Sequence, residues 1–190
     1  AFVGRQSFYG IKDPLGAPAT VLTMPRASNN MVQQTVTEVV VGPVTERHVS
    51  ANTVDLQTKN GWFIELDPGT SSPGASPGER SNTDPSLDLG ILSFTTNAPK
   101  STACTIGGTS YIYFLDYTTG GPLPANLASG LGGQLLDTSL ASRVVVIRVG
   151  NQVMGITVVG SQPDTPKVTT LGPAVNPASG KRINWRELNF

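Results

Sequence analysis

Residues 107–121, GGTSYIYFLDYTTGG, decide the fold class of this chain. Large apolar side chains occupy both parities of the stretch, namely Tyr111, Tyr113 and Leu115 on one and Ile112 and Phe114 on the other. The stretch has no helical spacing and is rich in aromatic and β-branched residues, which predicts a strand buried on both faces. A glycine pair at each end predicts tight turns, and the DYTTG tail predicts a turn capped by short polar side chains.

The composition of the whole chain points to the same fold class. Of its 190 residues, 38% are hydrophobic and only 14% are charged, with 21 glycines and 15 prolines. Low charge with many turn residues is typical of an all-β protein, and we expect one domain over residues 1–190. A formal net charge of +0 with scattered Lys and Arg argues against nucleic-acid binding. No stretch has the ~20 apolar residues of a membrane-spanning helix.

About nine or ten strands with regular turns are expected, a pattern typical of a sandwich, barrel or propeller. Besides the central stretch, strands are predicted at 6–12, 35–41, 44–54, 61–66, 87–96, 143–149, 152–159 and 167–171, with a strand or single helical turn at 182–188. The arm at 44–54 is polar and suits a sheet edge, whereas RVVVIRV at 143–149 predicts a buried strand. Hairpin turns are expected at 42–43 and 150–151, and a further turn at 161–166.

Two segments are predicted to be loops rather than strands, and to be mobile. Residues 67–80, DPGTSSPGASPGER, are rich in Pro, Gly and Ser. Residues 122–140 contain glycines at 130, 132 and 133, which weaken the alternative of a short helix with its leucines buried on one side. Residues 97–106 form a shorter predicted loop.

No catalytic, cofactor-binding or metal-binding residue is assigned from the sequence. Cys104 is the only cysteine, and an inert or weakly reactive thiol is the expectation for it. His48, the only histidine, is expected to lack a local partner, so a structural or surface role is favoured over a Ser-His-Asp triad. The carboxylate pairs Glu65/Asp67 and Asp84/Asp88 are spaced like solvated turn and edge residues rather than a glycosidase pair or a calcium loop.

The order of several motifs along the chain nevertheless resembles one family. These are QSFYGIKD (6–13), MVQQTVTE (31–38), GWFIEL (61–66), PGERSNTDP (77–85), GGTSYIYFLDYTTGG (107–121) and KRINWREL (181–188). Together they resemble the C-terminal propeller domain of type IV pilus tip-associated adhesins of the PilC/PilY kind. The match spans most of the chain, and the motifs occur in the family's order.

The resemblance implies a modified, quinoprotein-like seven-bladed β-propeller with antiparallel four-stranded blades of roughly 40–50 residues. By that measure 190 residues hold about four blades, the closing part of a propeller, with residues 181–190 as the closing segment. The chain does not start with Met. The connection from residues 1–4 to Gln6 is also shorter than the family pattern implies. We therefore expect a fragment or processed product, or a trimmed loop near residues 4–6.

The chain departs from the family at one functional site. Many members carry a calcium loop directly after the Leu-Asp-x-x-Thr-Gly strand. Here that place holds residues 122–140, whose one carboxylate is Asp137. A calcium ion takes six to eight oxygen ligands, so no calcium site, and no other cofactor, is expected in this chain.

The resemblance implies a binding and assembly protein rather than an enzyme. Such a protein lies outside the cell, at the pilus tip or outer membrane, where it promotes pilus assembly, limits retraction and supports adhesion and twitching motility. Its implied partners are the minor pilins of the tip and a host-cell or abiotic surface. The alternatives are a quinoprotein-type propeller enzyme and a purely structural secreted β-domain.

Trp185 is predicted to clasp the end of the fold. In an extended strand Ile183 and Trp185 share a face, whereas Lys181, Arg186 and Glu187 would lie toward solvent or the rim. Truncating a buried Trp costs on the order of 3–5 kcal/mol, so Trp185→Ala should lower the thermal unfolding midpoint by many degrees. A midpoint equal to that of the parent protein would mean that the tail is not packed.

Overall fold

A computed structural model describes residues 5–13, 30–67, 78–88, 90–100, 107–125, 127 and 130–173. Within these ranges the chain is all-β, with twelve strands and no α-helix, which confirms the predicted fold class. Several predicted features lie outside the described residues: most of the 67–80 loop, Cys104 and the closing segment 181–190 with Trp185.

The strands form three sheets. The N-terminal sheet has the order β1 (Ser7–Ile11), β5 (Gly61–Glu65), β2 (Val32–Gln34). The central sheet has the order β3 (Val36–Val41), β4 (Val44–Val49), β9 (Gly133–Asp137), β8 (Gly108–Asp116), β7 (Ile91–Pro99), β6 (Ser86–Asp88). The C-terminal sheet has the order β10 (Val145–Val149), β11 (Gln152–Val159), β12 (Gln162–Pro173). All described neighbours are antiparallel except β2 and β5, which are parallel.

Strand β8 lies inside the central sheet and is covered on both faces, as its sequence predicts. Tyr113 and Leu115 pack with Trp62 and Ile64 of the N-terminal sheet in one apolar cluster. Residues of the opposite parity on β8 pack with the C-terminal sheet in a second cluster, which contains Ile112, Phe114, Val153, Val159 and Leu171. The three sheets are therefore stacked as layers, with the central sheet in the middle.

The described sheets contain three, six and three strands, and none of them has the four strands of a propeller blade. The propeller therefore stays a prediction. Two strand predictions need correction. The segment 87–96 is not one strand, because the chain turns at Gly90, where φ is 80°, and β6 pairs back on β7. Residues 162–166, predicted as a turn, are the start of the long strand β12.

The segment 122–140, predicted as a loop, contributes a strand to the central sheet. Its residues 133–137 form β9, which lies between β4 and β8. Leu123, Leu127 and Leu136 are buried against the C-terminal sheet, so part of the leucine set of the segment enters the core. The sequence-based interpretation missed β9 because glycines and a short apolar run hide its periodicity.

The segment 143–149 is not the buried strand that its sequence predicts. Val145 is 45% exposed and Val149 is 55% exposed, and Val168 of β12 is 56% exposed on the same side of the sheet. Val146, of the opposite parity, packs on the core. The C-terminal sheet is thus apolar on both faces, and its outer face is partly open to solvent.

The predicted hairpin around the turn at 42–43 is confirmed as β3 and β4, with Val41 opposite Val44. Among the described strands β3 is at the edge of the central sheet, so the polar arm β4 is an interior strand rather than the predicted edge. The tip of the hairpin is apolar and exposed: Val39 40%, Val40 70%, Val41 52% and Val44 41%.

Trp62 of β5 is held between two glycines. Its indole nitrogen donates to the backbone oxygen of Tyr117 at 3.0 Å, and the residue is 1% exposed. A Cβ atom added to Gly10 would lie 2.3 Å from the indole ring, and one added to Gly120 would lie 2.2 Å from it. Both positions therefore require the smallest side chain, and Gly120 also has a φ of 66°.

Gly120→Ala should unfold the protein more readily than a matched glycine substitution. The backbone strain of a left-handed residue costs roughly 1–2 kcal/mol, and forcing a methyl group into packed space adds about 1–3 kcal/mol. Gly42→Ala is the control, because Gly42 has a φ of 59° but no heavy atom within 4 Å of the added Cβ. Urea unfolding of both variants should show the larger loss for Gly120→Ala. Equal losses would mean that the indole ring moves aside without cost.

Candidate functional site

The most concentrated polar chemistry among the described residues is a buried cluster between the N-terminal and central sheets. Its centre is Glu79, which is fully buried. The backbone of Arg80 pairs with Asn97 of β7 in both directions, at 3.0 and 2.9 Å, and this bridge places Glu79 beside β7. The Glu79 carboxylate accepts hydrogen bonds from the hydroxyl groups of Thr96 at 2.6 Å and Tyr113 at 3.0 Å.

Arg47 of β4 is the cation of this cluster. It is 1% exposed, and its Nη2 lies 3.0 Å from the Glu79 carboxylate and 3.2 Å from that of Glu38. The guanidinium carbon lies 3.8 Å from the centre of the Tyr111 ring, a cation–π contact. Gly133 of β9 is opposite Arg47 in the sheet, so no side chain of β9 at this register stands between Arg47 and β8.

The protonation states of the cluster follow from burial and from its charges. Burial alone would lower the pKa of Arg47. The acidic groups around the guanidinium outweigh this effect, so the pKa of Arg47 is raised. These groups are Tyr113, Glu79, Tyr111 and Glu38. Burial raises the pKa of Glu79, although Arg47 and two hydroxyl donors oppose that shift. Burial, and then the Glu79 carboxylate, raises the pKa of Tyr113 well above its ordinary value. Arg47 therefore stays charged and Tyr113 stays a hydrogen-bond donor.

This arrangement is suited to holding sheets together rather than to a reaction. Both Glu79 and Tyr113 are buried, and Thr96 is also fully buried, so a substrate has no route to them without separation of the layers. A general acid or base must reach the proton it transfers. We interpret the cluster as a structural link between β4, β7 and β8.

Arg47 is not among the residues predicted to be buried, although the sequence contains a signal for its burial. The polarity of the segment 44–54 predicts an edge arm, yet Arg47 shares its parity with the buried Val49. The turn at 42–43 also places Glu38 directly opposite Arg47 in the hairpin. Opposite charges that face each other beside a buried valine indicate an ion pair that enters the core.

The residues considered for catalysis do not come together as an active site. His48 does have a local partner, contrary to expectation: its Nε2 lies 2.9 Å from the Glu46 carboxylate, on an exposed side of the hairpin. Asp67 is buried rather than solvated, and its carboxylate accepts from Arg5 Nε at 3.0 Å. Asp84 is exposed in the segment before β6.

Asp137, the one carboxylate of the segment 122–140, already has protein partners. Lys167 of β12 donates to it at 2.5 Å and the Ser161 hydroxyl donates at 2.9 Å, so the contacts join the central and C-terminal sheets. Burial alone would raise the pKa of Asp137, but hydrogen bonds from Lys167, Ser139 and Ser161 lower it below its ordinary value. Within the described ranges, no group of three His, Cys, Asp or Glu residues could hold a metal ion.

A double-mutant cycle should show strong coupling between Arg47 and Glu79. Glu79→Gln leaves the buried guanidinium with only Glu38 as its anion, and breaking a buried ion pair costs on the order of 3–5 kcal/mol. The double variant Arg47→Met/Glu79→Gln removes both charges, so it should lose clearly less than the sum of the single losses. Chemical unfolding of the parent, both single variants and the double variant measures this. Losses that simply add would mean that the two side chains do not interact.

Asp137→Asn should reduce the dependence of stability on acid pH. Because the pKa of Asp137 is lowered in the folded state from its ordinary value of 3.8, its contribution is present above that value and is lost as the pH falls through the folded pKa. The partly exposed pair contributes at most ~1 kcal/mol at neutral pH. Unfolding at several pH values from 7 to 3 tests this, with Asp84→Asn as the control. The idea fails if Asp137→Asn loses as much stability in acid as the parent does.

Comparison of the chain with protein-family models, with curated proteins and with solved structures finds no match. Among the residues that the structure describes, none lies in a helix long and apolar enough to cross a membrane. The case for a function therefore rests on the residues of this chain and on how they are arranged.

Proposed function

We propose that this chain is a binding and assembly module of the type IV pilus, part of a PilC/PilY-type propeller at the pilus tip or outer membrane. In this proposal it promotes pilus assembly, limits retraction and supports adhesion and twitching motility, with minor pilins and a host-cell or abiotic surface as partners. It is not an enzyme. The proposal rests on the motif order in the sequence and on the contacts between the motifs.

The contacts between the motifs carry the proposal. Residues from three other motifs form hydrogen bonds with the central motif at 107–121. Trp62 of GWFIEL bonds to Tyr117, Glu79 of PGERSNTDP bonds to Tyr113, and Gln34 of MVQQTVTE donates to the backbone oxygen of Thr119 at 2.9 Å. These contacts give the motif set a structural basis, because the motifs share one packed centre.

The first motif joins the same centre through aromatic stacking. Phe8 of QSFYGIKD lies 4.1 Å from Phe94 between ring centres, with 7° between the ring planes. Phe94 in turn stacks on Tyr113, at 4.9 Å and 5°. Five of the six motifs thus belong to one packed network, and the sixth, at 181–188, lies outside the described residues.

The layered arrangement of the sheets supports a propeller, because neighbouring blades of a propeller also pack face to face. The outer face of the C-terminal sheet supports an assembly role. It presents the exposed Val145 and Val168, and the half-buried Met154 and Ile156 share that side. Exposed apolar faces of this kind are typical of surfaces that meet another protein surface.

The proposal can be tested in a bacterium that makes type IV pili and carries this gene. Deletion of the gene should reduce the number of surface pili and abolish twitching motility. If the protein limits retraction, additional deletion of the retraction motor should restore pili. Unchanged piliation and motility after the first deletion would overturn the proposal.

Complementation with two variants tests whether piliation depends on the histidine, as a histidine-dependent enzyme requires, or on the intact fold. His48→Ala removes the only histidine, whose side chain is exposed on the hairpin, so it should restore piliation as well as the parent gene. Glu79→Ala disrupts the buried cluster and should restore it poorly. A requirement for His48, or a visible absorbance band in the purified protein, would favour the quinoprotein-type enzyme instead.

A further inference from the structure

Arg47 has buried hydrogen-bond donors that its known contacts do not use. Its Nη2 faces the carboxylates of Glu79 and Glu38, and the ring of Tyr111 lies against the guanidinium. Its Nε and Nη1 are also buried, yet neither has an acceptor among the described residues. A buried donor on a charged group keeps the full cost of losing its water unless an acceptor replaces that water.

The charges around Arg47 indicate what kind of acceptor fits there. Two carboxylates, of Glu79 and Glu38, already face this single cation, so a further anion would be repelled. A cation is excluded because Nε and Nη1 present only hydrogens. A neutral acceptor is therefore required, which is either a carbonyl or hydroxyl oxygen of the protein or a water molecule. No protein oxygen among the described residues is placed to accept from Nε or Nη1, which leaves water.

We propose that Nε and Nη1 of Arg47 bind internal water, so that the layer between the N-terminal and central sheets contains a small hydrated site. Nε–H and Nη1–H point to opposite sides of the planar guanidinium, so each donates to its own water molecule. Glu38 is the member of the cluster through which this water exchanges with solvent, because its side chain is 25% exposed while Arg47 and Glu79 are almost fully buried. This inference does not depend on the pilus function.

A crystal structure of the 190-residue chain at about 1.5 Å resolution tests the site directly. The expected result is an ordered, isolated density peak about 2.7–3.2 Å from Nε or Nη1, the range of a hydrogen bond. Protein carbonyl or side-chain oxygens on both nitrogens would overturn the proposal. The larger density of a sulfate or phosphate ion bound to either nitrogen would also overturn it.

Two further measurements keep the test independent of crystal conditions. In the ¹⁵N-labelled protein, the Nε–H signal of Arg47 should show a direct nuclear Overhauser effect to water, with the sign typical of a water molecule that stays for nanoseconds or longer. Arg148 is the control, since its Nε donates to the backbone oxygen of Gly150 at an exposed position and should show only fast-exchanging water. Absence of the effect at Arg47 would contradict internal water.

The variant Arg47→Met keeps the apolar stem of the side chain and removes every donor. Its crystal structure should lack the density peak, and Arg148→Met, made in parallel, should retain it. A peak that persists unchanged in Arg47→Met would mean that other groups hold the water, and the assignment to Arg47 would be wrong. If Arg47→Met does not fold, the nuclear Overhauser effect between Nε–H of Arg47 and water in the parent protein decides whether the proposal holds.

Discussion

The burial of β8 on both faces is the constraint on which the rest of the structure depends. Tyr113 and Leu115 on one face and Ile112 on the other are all fully buried. A sheet whose central strand is apolar on both sides needs a separate apolar layer against each face. The N-terminal sheet supplies one layer and the C-terminal sheet supplies the other, which explains why this chain is built from three stacked sheets rather than a two-layer sandwich.

Two-sided burial has a consequence for every buried polar side chain of the core, because bulk solvent does not reach it. Asn97 meets the requirement with hydrogen bonds to Ala141 and Asn82, and Gln34 meets it through two donated and two accepted bonds. Glu79 accepts from three different side chains. Arg47 is the member of this set with donors left over, and that is what sets its surroundings apart from the rest of the core.

The sequence was sufficient for the fold class and for most strands, because alternation and glycine turns are local properties. It failed where a strand depends on distant neighbours. The segment 133–137 has little strand character of its own and becomes β9 because β4 and β8 leave a place between them. The segment 87–96 was predicted as one strand, since its sequence does not reveal that Gly90 takes a left-handed conformation.

Burial was the harder property to predict, and the errors have a physical pattern. The run at 143–149 is as apolar as a buried strand, but its outer side chains face solvent in this chain. Apolar composition alone therefore does not establish that a strand is buried on both faces. Arg47 is the reverse case, a charged residue that is buried because Glu38 and Glu79 accompany it. The same limit applies to residues that the sequence leaves without a catalytic role: His48 and Asp67 have partners that only the folded chain reveals.

The motifs that suggest a family are occupied in holding this protein together. Trp62, Glu79 and Tyr113 are nearly or fully buried, so none of them is available to bind a partner. A resemblance carried by such residues is informative about the fold and silent about the surface that is recognised. The surface left for recognition is different in character: the valines at the tip of the β3–β4 hairpin and on the outer face of the C-terminal sheet are exposed and uncharged. The specificity of the protein for a partner therefore depends on surface residues outside the packed centre of the motifs. Substitutions on those surfaces can change the partner without disturbing the fold.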